Sequence, residues 1–216
     1  MNLINLTRSG LLDYTVRQMT HFFPDGLDSV RPRVEAHLDE ALSRLQNCIN
    51  AVRLWNINQF NYLHSSQYCI YLYYLSNSIW RNTGDTEVCT KLFLLNKTLN
   101  AIDLFYEVEM PDIFFIGHSV GIVLAKATYS DYLVLYQNST VGKNAGIAPV
   151  MERGVLMYPN SAIIGRSNVR ANTLISQGVG IVNRDSPGNV MVFQRGDGDL
   201  IFKELKKDFL QEFFRL

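Results

Sequence analysis

Chemistry near neutral pH needs side chains that can change protonation state or carry a nucleophile, and this chain offers few candidates. His118 stands in FFIGHSVG, between two glycines and among apolar neighbours. An imidazole titrates near neutrality and can take a proton from a hydroxyl, so His118 reads either as a general base or as a solvated turn residue. Asp103 lies fifteen residues earlier and, taken alone, reads equally well as a polar cap where a helix ends. Cys48, Cys69 and Cys89 are odd in number, lack C-x-x-C spacing and sit in helical stretches, which points to buried free thiols in a reducing compartment. The sequence carries no nucleophile elbow, phosphate-binding glycine loop, dinucleotide fingerprint or zinc spacing, so no metal is expected. GDGD at 196–199 reads as a turn without the spaced ligands of a calcium loop.

The elements that must position these residues fall into two halves with different periods. From Val34 to Trp55, VEAHLDEALSRLQNCINAVRLW repeats apolar residues at three- and four-residue steps, the mark of an amphipathic helix. SSQYCIYLYYLSNSIW is a second helix whose tyrosines read as core. Asn82-Thr83-Gly84-Asp85 supplies a stop and a new start before TEVCTKLFLLNKTLNAI. Pro24 and Pro32 punctuate the early part.

After about Ala101 apolar residues recur at every sixth position: Leu104, Met110, Ile116; then Val123, Tyr129, Leu135, Val141; then Met151, Met157, Ile163, Val169, Ile175, Ile181. Val155, Ser161, Ser167, Thr173 and Val179, four residues beyond members of the last run, are small or β-branched. Six fits neither a 3.6-residue helix nor a simple hairpin strand. It fits a three-sided coil in which each unit makes one flat face and one corner, and stacked coils bury a column of aliphatic side chains. Two breaks interrupt the period: one extra residue beside His118, and GKNAGIAP, expected as a short extruded loop. Irregularities in a regular solenoid mark places where function is grafted.

The chain has 216 residues, 47% of them hydrophobic, with twenty basic residues against twenty acidic ones. A formal charge of zero gives no general pull toward nucleic acid or anionic lipid. The longest apolar run, Tyr68 to Leu75, falls far short of a membrane span, and the first residues lack the pattern of a secretion signal, so a cytoplasmic protein is expected.

AIDLFYEVEMPDIFFIGHSVGIVL, then YQNSTVGK and the hexapeptide run to Ile181, resemble the serine acetyltransferases, over roughly residues 65 to 195. The resemblance implies an α+β arrangement: an N-terminal α-helical domain (1–101), a C-terminal left-handed parallel β-helix of hexapeptide repeats (102–195) and a C-terminal tail with a helix (196–216). It implies an acetyl-CoA-dependent O-acetyltransferase in which His118 is the general base and Asp103 holds and polarises its imidazole. With about eighteen residues per coil, fifteen residues put the two on adjacent coils, and a carboxylate on the far nitrogen fixes the tautomer. The donor implied is acetyl-CoA, with Gly142, Pro159 and Gln177 matching the family's contact points. Arg184 and Arg195 could meet phosphate. A groove shared between subunits implies a homotrimer or dimer of trimers, with the helical half capping the first coil.

Departures from the family matter equally. The family carries an acidic residue immediately before the histidine and an Arg-His pair in a longer extruded loop, both contacting serine; here stand Gly117 and the short GKNAGIAP. The C-terminus KELKKDFLQEFFRL, expected as an amphipathic helix, lacks the isoleucine-ended tail of the family. The expected acceptor is therefore a hydroxyl on a sugar, glycan or modified small molecule. The alternatives are serine held by altered contacts, or a non-catalytic trimeric β-helix module.

Overall fold

The structure is a computed structural model and describes residues 1–25 and 30–216. The helical half comprises α1 (Arg8–Phe22), α2 (Val30–Ala51), α3 (Ser65–Thr83) and α4 (Thr86–Asn100). Thr7 caps α1 by accepting from the Gly10 amide. The expected stop and start between α3 and α4 is built from Gly84, at φ +68°, and Asp85, which accepts from the Val88 amide. The tyrosines of α3 are core: Tyr71, Tyr73 and Tyr74 are fully buried. Cys48, Cys69 and Cys89 are free and buried, and burial pushes their thiols up to about 12, which leaves them without a reactive thiolate at neutral pH.

From Asp103 onward the chain coils into a three-sided solenoid of parallel strands. One face stacks Asp103–Leu104, Val123–Leu124, Thr140–Gly142, Ala162–Ile164 and Gly180–Val182. The second stacks Phe114–Ile116, Leu133–Leu135, Val155–Met157, Thr173–Ile175 and Val190–Gln194. The third pairs Val150–Met151 with Asn168–Val169 and is extended by single bridges to Thr128 and Ser186. The regular step is the expected one: Ile163 stands opposite Ile181, and Met157 opposite Ile175. The small or β-branched set Val155, Ser161, Ser167, Thr173 and Val179 is buried throughout.

One member of the expected column is displaced. Val123 is 44% exposed, and Leu124 takes the inward place between Leu104 and Val141. The corner holding His118 carries two extra residues rather than one, and the following step to Tyr129 is correspondingly short. The GKNAGIAP segment does extrude. Asn144 and Ile147 exchange both backbone hydrogen bonds around Ala145 and Gly146, whose φ values of +49° and +79° make a tight primed turn.

A solenoid leaves an open edge at each end, and both are covered. At the first coil, α2 and α3 supply the missing partners: Tyr73 Oη donates to Val108 O (2.6 Å) and accepts from Met110 N (3.0 Å). Asn77 Nδ2 donates to Tyr106 O, Tyr74 Oη to Asp112 O, and Cys48 Sγ to Phe114 O. At the last coil, Leu200–Glu204 folds back antiparallel on Val190–Gln194 around the GDGD turn.

The tail therefore differs from one continuous amphipathic helix. Lys203 and Glu204 belong to this returning strand, and the helix is a single turn, α5 (Leu210–Phe213). The tail then straps the second face. Leu210 packs on Gly154, Phe213 on Phe115 and Tyr136, and Phe214 on Tyr132. Arg215 closes the strap by donating to the carbonyls of Asn50, Val52, Arg53 and Trp55 where α2 ends. Among the described residues no helix is long and apolar enough to cross a membrane.

Candidate active site

The corner that leads from the second face to the first repeats in every coil, and its backbone fixes its register. Asn138 N donates to Val120 O, Asn160 N to Gln137 O and Gly178 N to Pro159 O, each about 3 Å. The residues that follow these acceptors, Gly121, Asn138 and Asn160, and Gly178 at the same place in the next coil, have φ between +58° and +73°. Glycine and asparagine tolerate that left-handed conformation, which explains their recurrence at this place in the sequence. Asn138 Nδ2 also donates to Asn160 Oδ1, a side-chain rung between coils. The result is one straight edge carrying Gln137, Pro159 and Gln177 in successive coils, about 4.8 Å apart.

His118 sits at the head of this edge, in the lengthened corner, and is exposed. Its imidazole projects from a backbone pinned on both sides. Ser66 Oγ, in the first turn of α3, donates to Gly117 O (3.3 Å), and Ser119 Oγ donates to Asn100 O (2.7 Å). Gly121 N donates to Ala101 O, and Asp103 N to Ile122 O. These bonds lay the segment 100–103 alongside the His118 corner, so the Asp103 strand and the histidine loop are neighbours as the coil count requires. The Asp103 carboxylate itself is engaged by Lys97: Nζ lies 2.7 Å from Oδ2. Among the described residues no hydrogen bond joins Asp103 to His118.

Of the other positions singled out in the sequence, Pro159 and Gln177 lie on the same edge as His118. Gly142 ends a strand of the adjoining first face. A Cβ on Gly142 would meet Ile164 Cδ1 at 2.8 Å, so the absence of a side chain keeps this strip of the face flat. Elsewhere on the same face, Val123 and Val182 are 44% and 47% exposed. Arg184 and Arg195 are at the far end of the solenoid. Arg184 faces Asp199 at 3.9 Å, and the Arg195 amide donates to Asp199 O within the returning hairpin.

Two residues at the site carried no signal of their own: Lys97 and Tyr136. Tyr136 and Tyr158 follow the inward residue in consecutive coils of the second face, and their rings stack at 16° with centroids 5.8 Å apart. Burial, with a smaller contribution from Tyr158, raises the Tyr136 phenol and keeps it protonated. Only the coil register could have found this pair. It places Gly117, Tyr136 and Tyr158 on one line.

A cleft of about 480 Å³ runs along α1 between Tyr14, Arg17, His21 and Phe22, and none of its lining residues belongs to the His118 edge. Among the described residues no group of three or more His, Cys, Asp or Glu side chains is placed to hold a metal ion.

Comparison with solved structures agrees with this architecture. The chain is similar to a serine acetyltransferase of Neisseria gonorrhoeae, with a TM-score of 0.72 at 14% identity over 96% of this chain and 84% of that one. The fold is that of the serine acetyltransferases. A serine acetyltransferase solved in complex with CoA superposes with a TM-score of 0.69 at 15% identity, covering 91% of this chain and 86% of the other. Serine acetyltransferase isoform 3 of Entamoeba histolytica, in complex with cysteine, gives 0.64 at 17% identity over 91% and 74%. The likeness spans both halves, so the serine acetyltransferase fold includes the helical region as well as the left-handed β-helix. No family model and no curated protein sequence matches the chain.

Proposed function

We propose that this protein is an acetyl-CoA-dependent O-acetyltransferase of the cytoplasm, acting on a hydroxyl other than that of free serine. The observation that carries the reading is an exposed histidine on a braced, lengthened corner, at the head of an edge that continues through Pro159 and Gln177. In this reading the donor's pantetheine arm lies along that edge and the strip at Gly142, and the thioester reaches His118. His118 takes the proton of the acceptor hydroxyl as its oxygen attacks the thioester carbonyl. The tetrahedral intermediate collapses with loss of the CoA thiolate, which recovers the proton from the imidazolium. The products are an acetate ester and CoA. Backbone amides near the thioester would stabilise the oxyanion.

Asp103 acts here as the residue that orients His118. Lys97 occupies one of its oxygens, Oδ2, and Oδ1 remains for the imidazole. One chain leaves His118 open to solvent, and the flat apolar strip of the first face beside it is unpartnered. A second copy packed on that strip would complete the groove, which fits a homotrimer with three equivalent sites.

Calorimetric titration with CoA tests the donor site. The expected result is micromolar binding that weakens at least tenfold in Gly142→Phe, whose ring would stand in the strip, while circular dichroism stays unchanged. A folded protein that binds no CoA would leave only an assembly role for the solenoid.

A further inference from the structure

Gly117, the residue before His118, has no room for a side chain. A Cβ there would lie 2.5 Å from Tyr136 Cε1 and 2.7 Å from Cδ1, inside contact distance of a ring that is not free to move. Tyr158 stacks against that ring, and Phe115 and Phe213 meet it edge-on. The Tyr136 ring thus occupies the space into which residue 117 would reach next to His118. It is half-buried, and among the described residues neither its hydroxyl nor that of Tyr158 has a hydrogen-bond partner. The surface beside the histidine is consequently aromatic and neutral, with two phenol hydroxyls to offer. The carboxylate on the adjoining strand, Asp103, already carries Lys97.

This lining discriminates between classes of acceptor. An α-amino acid brought next to His118 would lose part of the hydration of its carboxylate to the negative faces of aromatic rings, while the nearby Lys97 is already held by Asp103. A neutral hydroxylated ring loses nothing of that kind. Its C–H face packs on the tyrosines and its other hydroxyls meet the phenols.

We propose that Tyr136, braced by Tyr158, is the residue that sets acceptor specificity, and that it selects a neutral ring-shaped polyol such as a pyranoside over an α-amino acid. The proposal rests on the acetyl-transfer reading and adds to it the acceptor class and the residue that recognises it.

The test uses the full chain, acetyl-CoA and thiol release, with methyl glucoside, methyl galactoside and methyl N-acetylglucosaminide against L-serine. The expected result is a kcat/KM for at least one glycoside a hundredfold above that for serine. Tyr136→Ala should lower the glycoside value at least tenfold, chiefly through KM, with the KM for acetyl-CoA unchanged, and Tyr136→Phe should restore most of the loss. Serine preferred over every glycoside, or no turnover of any glycoside by a folded protein that binds CoA, overturns the proposal. So does a Tyr136→Ala variant with an unchanged glycoside KM. If His118→Ala abolishes transfer in that last case, the acetyl-transfer reading survives and only the role of Tyr136 falls.

Discussion

Replacing His118 with alanine should lower the turnover of the proposed acetyl transfer by roughly 10²–10⁴-fold, the usual contribution of a positioned general base. The residue is exposed, and the corner that carries it is held by Ser66, Ser119 and Gly121 rather than by the imidazole, so the variant should fold normally. CoA affinity should stay within twofold, because in the proposed arrangement the donor lies along the coils below. Steady-state thiol release combined with calorimetry separates these quantities. A double-mutant cycle places Asp103: Asp103→Asn should cost about tenfold in the native background and almost nothing once His118 is absent, since an orienting carboxylate acts only through its imidazole. Equal losses in both backgrounds would instead assign Asp103 to the Lys97 ion pair and the start of the first strand.

The second large effect concerns stability. Tyr73 is 1% exposed, and its one hydroxyl satisfies two backbone groups of the first coil, Val108 O and Met110 N. Tyr73→Phe keeps the ring and removes both bonds, leaving a buried carbonyl and a buried amide unpaired. At about 1–3 kcal/mol for each such group, the substitution should cost about 2–6 kcal/mol. That is a large share of the roughly 5–15 kcal/mol by which domains are stable. Thermal unfolding should show a midpoint lowered by about 10 °C, given about 2–4 °C per kcal/mol at this size. Tyr132→Phe, whose hydroxyl has no partner among the described residues, should leave the midpoint unchanged. If the two variants melt alike, the hydroxyl does not hold the helical half to the solenoid.

How much of this was legible in the sequence follows from what each feature depends on. The aliphatic column was readable because a solenoid writes its core into a local period, and Met151 through Ile181 all fall inward as counted. Val123 was misplaced because a period fixes register on either side of an insertion but not how many residues the insertion holds. The backbone pairing of Leu104 with Leu124 settles that count. The helix stop and start at Gly84 and Asp85 was readable because capping is local chemistry. The tail was not, since whether Lys203 and Glu204 continue a strand depends on the unpaired edge of Val190–Gln194 waiting for them.

The same division runs through the candidate site. Pro159 and Gln177 share an edge because they stand eighteen residues apart, one full coil, whereas the lengthened corner puts His118 outside that count. Lys97 was invisible because its contact with Asp103 depends on how α4 ends, at Ala101 with φ +51°. Gly117 was readable as a missing acidic group, but its cause was not. The ring that fills its space belongs to the next coil and is held by Phe213 from the far end of the chain.

A crystal structure of the full chain with CoA bound would show whether the donor reaches His118. The thiol sulfur is expected at the His118 corner, with the pantetheine arm running past Pro159 toward Gln177 and along the strip at Gly142. CoA seated in the cleft of α1, or anywhere that leaves its sulfur out of reach of the His118 imidazole, would contradict this arrangement.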